Sequence, residues 1–166
     1  MRANSRLKIY TVILILFFLE AALIGRLRIH GASPGLLLIA VIFFGFHFGR
    51  ARGAEAGLIA GILKDIFSLT NFGVNAFSFL LVGALAGYLR KKLARENFVT
   101  EFFISAAAVY LTSSVSFLDL SRLAGETALE GFWAIIFYKS LYTAFAAAPI
   151  FFVLGKIFGP KETPRI

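Results

Sequence analysis

Apolar residues run in six long stretches along this chain, and most of the polar residues fall in the connections between them. The stretches are about Ile9–Gly25, Pro34–Phe48, Ala54–Leu69, Val74–Leu89, Phe98–Leu118 and Gly131–Leu154. A helix rises 1.5 Å per residue, so about 20 apolar residues cross the ~30 Å hydrocarbon core of a bilayer. The pattern therefore predicts an all-α integral membrane protein of six transmembrane helices. Several stretches are short, which predicts local thinning of the bilayer or burial inside the bundle.

The Lys and Arg residues sort by side. Arg2, Arg6, Lys8, Arg50, Arg52, Arg90, Lys91, Lys92, Arg95, Lys156, Lys161 and Arg165 flank one set of helix ends, whereas Arg26, Arg28 and Arg122 flank the other. Twelve against three, under the positive-inside rule, predicts that both termini lie in the cytoplasm. An odd number of spans would carry the basic C-terminus to the wrong side. Trp133, Tyr10 and Tyr88 fall near span ends, as an interfacial aromatic belt requires.

Composition agrees with the pattern. Of 166 residues 59% are hydrophobic and 16% charged, and the mean hydropathy is +0.84. A soluble domain has about 25% charged residues. The spans use up the length, so residues 1–166 read as one membrane domain. The net charge of +8 would suggest nucleic acid in a soluble protein. Here it is divided among loops, without the interleaved aromatics of a single-strand binder, and no nucleic-acid partner is expected. Cysteine is absent, which excludes disulfides and thiolate chemistry. Arg2, Arg6 and Lys8 before an apolar run resemble the start of a signal peptide. The run is long for that role and carries Glu20, so an uncleaved first helix is the better reading.

The densest motif is Gly53, Gly57 and Gly61 at four-residue spacing, extended by Asp65 and widened by Ala56 and Ala60. Gly83 and Gly87 repeat the spacing in the fourth span. Such small-residue faces let membrane helices approach closely. The link Thr70–Gly73 is short, which predicts an antiparallel hairpin. Packing is the favoured role of these glycines over direct ligand contact.

Between the glycines lies a polar knot of Lys64, Asp65, Ser68, Asn71 and Asn75. Asn75 suits an N-cap. Asp65 is placed to accept backbone N–H bonds at the hairpin tip, with an ion or ligand contact as the alternative. An unpaired charge costs at least ~2.5–3.5 kcal/mol at mid-bilayer. Glu20, Asp65, Asn75 and Lys139 lie at similar depth, which predicts one outer-leaflet cluster in which Lys139 neutralises a carboxylate. Glu101 and His47 read as interfacial groups. The outer loop Asp119–Glu130 is either a short interfacial helix or a solvated loop. No phosphate-binding loop, nucleophile elbow, metal set or spaced carboxylate pair appears. No catalytic residue or cofactor is therefore expected.

The stretch Gly57–Leu89 resembles the MreD family of bacterial rod shape-determining proteins. Its carriers are Gly57, Gly61, Asp65, Gly73, Asn75 and Ala76, followed by the basic run Arg90, Lys91 and Lys92. Length and six-span layout match as well, while Lys64 and Phe67–Ser68 depart from the pattern. The resemblance implies a non-enzymatic member of the elongation (rod) machinery in the plasma membrane. Its partner would be MreC, linked to a class B penicillin-binding transpeptidase and a RodA-type glycosyltransferase, with MreB filaments on the cytoplasmic face. Lateral peptidoglycan synthesis and cell shape would be what it regulates. The chain also resembles, in size and Gly-rich helices, the substrate-binding S-components of energy-coupling-factor vitamin transporters. On that reading the outer cluster is a small-molecule pocket.

Overall fold

A computed structural model describes residues 2–26, 35–67, 73–90, 103–113 and 129–159, with side chains at all of these except 2–5, 23–26 and 129–135. The described chain is all helical: α1 Arg2–Arg26, α2 Leu36–Phe48, α3 Arg50–Ile66, α4 Val74–Leu89, α5 Phe103–Ser113 and α6 Leu129–Phe158. Among the described residues one stretch, Ile136–Phe158 in α6, is by itself long and apolar enough to cross a membrane; α2, α4 and α5 are shorter apolar helices.

The sequence of α2, LLLIAVIFFGFHF, is apolar on every side. A helix of that kind belongs at the centre, and every residue from Leu36 to His47 is buried. The other helices pack around it. Helix α1 buries one stripe, Ile9, Ile13, Phe17 and Glu20, at the spacing a single helical face requires. Its remaining faces expose Leu7, Leu14, Ile15 and Phe18. Helix α6 likewise turns Phe137, Phe145 and Phe152 outward. A surface this apolar all round the bundle is costly in water and suits lipid.

The tightest seam joins α2, α3 and α4. A Cβ placed on Gly53, Gly57, Gly61, Gly83 or Gly87 would fall under 3.0 Å from backbone atoms of the facing helix. Gly57 abuts the Phe79 carbonyl, and Gly53 and Gly83 abut each other. Gly45 of α2 completes the seam against Gly83 and Ala86. Its position alone in an apolar run hides it from a search for spaced glycines.

Helix α3 starts earlier than the apolar pattern suggests. Gly49, at φ +90°, makes the whole connection between α2 and α3, a conformation glycine adopts without penalty. Arg50 and Arg52 are consequently helical residues, not loop residues. Helix α1 extends back to Arg2 and α6 runs from Leu129 to Phe158, beyond their apolar stretches. The described part of the fifth stretch is Phe103–Ser113. Pro34, Glu101, most of Asp119–Glu130 and the side chain of Trp133 lie outside the described residues.

Contacts fix the helix directions. Tyr10 and Arg6, early in α1, meet Glu55, early in α3. Glu20, late in α1, meets Leu37 at the start of α2 and Lys64 late in α3. Thr143 of α6 bonds Gly35 just before α2, while Phe151 and Phe158 reach Phe43 and Phe44. The first turns of α1 and the last turns of α6 therefore lie at the same end of the bundle, the end that holds Gly49.

Candidate functional site: a buried polar centre

Helices α2 and α4 both begin at the end opposite Gly49, α2 inside protein and α4 half-buried. The first N–H groups of a helix have no partner within it, and a buried orphan N–H costs about 1–3 kcal/mol. Two carboxylates from neighbouring helices answer this need.

Asp65, 1% exposed, serves α4. Its Oδ2 accepts from the N–H groups of Gly73 at 3.0 Å and Ala76 at 2.9 Å. Its Oδ1 accepts from the Asn75 N–H at 3.1 Å and from Asn75 Nδ2 at 2.8 Å. Both oxygens are doubly occupied, and the negative charge faces the positive end of the α4 dipole. Asn75 is not the cap the sequence suggested. The cap position is Gly73, at φ +103°, and Asn75 is a helical residue that fastens Asp65 with both backbone and side chain.

Glu20, 4% exposed, serves α2. Its Oε2 accepts from the Leu37 N–H at 2.9 Å. Its Oε1 takes the Lys64 ammonium at 2.9 Å. Lys139, expected to neutralise a carboxylate, feels the charge of Glu20 from beyond 4.0 Å, and among the described residues the direct ion pair of Glu20 is with Lys64. Depth along the bilayer normal groups residues by height, but the direction in which each helix face points decides which charges meet. Lys64 was visible in the sequence as part of the polar knot; its position facing α1 was not.

The α2 start receives a third tie, as the Gly35 N–H donates to Thr143 Oγ1 at 3.1 Å. Thr143 is fully buried and was not singled out from the sequence. Beside these ties lies a cavity of about 130 Å³. Lys64, Lys139, Asn75, Thr112 and Ser113 contribute its polar lining.

At the opposite end His47 is buried, where the sequence suggested an interfacial group. Its ring stacks on Phe43, with centroids 5.2 Å apart, and meets Phe48 edge-on at 4.7 Å. Arg52 lies over the Phe48 ring. Among the described residues no group of His, Asp and Glu has the arrangement of a metal site.

The described residues form a helical bundle with one helix of membrane-spanning length, in which buried charges tie helix ends together. Comparison with known families matches residues 5–158 to the rod shape-determining protein MreD. The chain belongs to the MreD family, as its Gly-rich hairpin suggested, and membership places it among the components that determine rod shape. No curated protein and no solved structure matches it.

Proposed function

We propose that the protein is a non-enzymatic scaffold of the rod complex in the bacterial plasma membrane. It crosses the bilayer six times with both termini in the cytoplasm. It binds MreC and so regulates lateral peptidoglycan synthesis by the class B penicillin-binding transpeptidase and RodA-type glycosyltransferase, with MreB on the cytoplasmic face. The observation that carries this reading is the family match over residues 5–158.

The geometry supports it in three ways. The start of α1 and the end of α6 share one end of the bundle, as an even number of crossings requires, and the basic residues favour that end as cytoplasmic. The carboxylates serve helix starts, which is architectural work. The apolar perimeter of α1 and α6 offers lipid-facing surface on which a membrane partner can pack. Because Glu20 and Asp65 are buried and fully engaged, they hold the binding surface in shape without forming it. The transporter reading gains less: a cavity of about 130 Å³ is small beside the ~300–1,000 Å³ usual for small-molecule pockets.

Co-purification with tagged MreC tests the proposal, with depletion in the host as its cellular counterpart. Recovery of MreC and loss of rod shape on depletion are the expected results. A protein that never retains MreC, in cells that keep their shape without it, sinks the reading.

A further inference from the structure

The polar centre holds two carboxylates and two lysines, and among the described residues one of the lysines is tied directly to a carboxylate. Glu20 neutralises Lys64, and the charge of Asp65 is spent on the start of α4. Lys139 remains. It sits on α6 eight residues beyond Gly131, where the apolar stretch begins, or about 12 Å into that stretch. It lines the same cavity as Lys64, and among the described residues it has no ion pair within 4.0 Å. A cation held at membrane depth without a direct partner marks a functional site by default.

The cavity around it suits one kind of guest. Two ammonium groups from different helices, α3 and α6, border the space. Asn75 and Ser113 add neutral polar groups from α4 and α5, and Gly35 brings the start of α2 to its wall. The volume of about 130 Å³ exceeds what a single water needs and admits one tetrahedral oxyanion. Lysine binds phosphate as a point charge, and among the described residues the cations lining this cavity are the two lysines.

We infer that this cavity is an oxyanion site, in which Lys139 and Lys64 hold a phosphate group between α2, α4, α5 and α6. The group is either the headgroup of an anionic phospholipid or a free phosphate. Occupancy gives Lys139 a direct anionic partner and links α6 to the α3–α4 hairpin, elements that among the described residues otherwise meet through α2. This assignment stands apart from the rod-complex reading and does not depend on MreC.

Thermal unfolding of the purified full-length protein tests it in two arms. One uses delipidated protein in detergent with inorganic phosphate, against chloride at equal ionic strength. The other uses nanodiscs of phosphatidylcholine with or without phosphatidylglycerol. Any ligand of the folded state raises the midpoint in proportion to its occupancy. A rise with inorganic phosphate identifies a free-oxyanion site, and a rise only with phosphatidylglycerol identifies a headgroup site. In either case Lys139→Met weakens the response about tenfold or more. Ser113→Val, a milder change on another helix, weakens it less. Lys156→Met, at the far end of α6, leaves it unchanged. No rise with either probe, or a rise in Lys139→Met equal to that of the unaltered protein, overturns the assignment.

Discussion

The two ends of the bundle close by different means. At one end α2 and α4 begin, and their N–H groups are met by Glu20, Asp65 and Thr143. At the other end α2 passes into α3 through Gly49 alone, and the backbone bonds continue from the Gly49 N–H to Gly45 and from the Gly53 N–H to Gly49. Phenylalanine rings and His47 fill the space around that joint. A helix start needs acceptors it cannot supply itself, so the first end recruits charge. A joint that keeps its own backbone bonds needs only shape, so the second recruits glycine and aromatic rings.

The largest effect that comparison predicts is at Asp65. Asp65→Ala strips acceptors from three N–H groups at once, one buried and two half-buried. At about 1–3 kcal/mol for the buried orphan, and less for the two that water can reach, the total cost is about 2–4 kcal/mol. Denaturant titration in detergent, followed by circular dichroism, reads it as loss of the folded state. Asp65→Asn keeps one acceptor oxygen and should fall between. If Asp65→Ala unfolds at the same midpoint as the unaltered protein, the carboxylate is not what closes this end.

Next in size is the glycine seam that joins both ends. Gly57→Ala drives a Cβ against the Phe79 carbonyl, so α3 and α4 must separate. Overpacking of this kind costs about 1–3 kcal/mol. Gly155→Ala is the control. A Cβ there meets nothing within 4 Å, and alanine favours the helix by up to about 1 kcal/mol. The two substitutions are chemically identical and should shift the unfolding midpoint in opposite directions.

The seam also shows what a sequence alone can convey. Gly53, Gly57 and Gly61 were legible because four-residue spacing puts them on one helix face whatever surrounds the helix. Gly45 was not, since a single glycine in an apolar run has no spacing to betray it. Helix boundaries failed where backbone conformation overrode composition: Arg50 and Arg52 look like loop residues until Gly49 is seen to make the turn by itself. Glu20, Asp65, Asn75 and Lys139 were grouped by height. The tie from Glu20 to Lys64 depends on how α1 and α3 are rotated toward each other, and that is a property of the packed bundle.

A smaller effect is expected for the ion pair at the carboxylate end. Lys64→Met leaves Glu20 buried with the Leu37 N–H as its remaining tie. Breaking a fully buried pair costs about 3–5 kcal/mol, but exposed pairs contribute only about 0–1. Lys64 retains 28% side-chain exposure against 5% for Glu20, which places the expected loss near 1–2 kcal/mol. In a double-mutant cycle with Glu20→Gln the two changes should be non-additive by at least ~0.5 kcal/mol. Strict additivity breaks the claim that this pair acts as a unit.

The smallest effect belongs to the charges at the Gly49 end. Arg6 and Glu55 approach to 4.0 Å with side chains 61% and 37% exposed, and Tyr10 donates its hydroxyl to Glu55. Water screens such a pair, and holding two long side chains in place offsets much of the gain. Arg6→Ala should therefore change stability by less than about 0.5 kcal/mol. Glu55 keeps its bond from Tyr10, so no group is left without a partner. The same class of contact, cation to carboxylate, thus has unequal weight at the two ends, because only at one does the carboxylate also hold a buried helix start. An Arg6→Ala protein destabilised as much as Lys64→Met would erase that distinction and make charge, not helix capping, the common support of both ends.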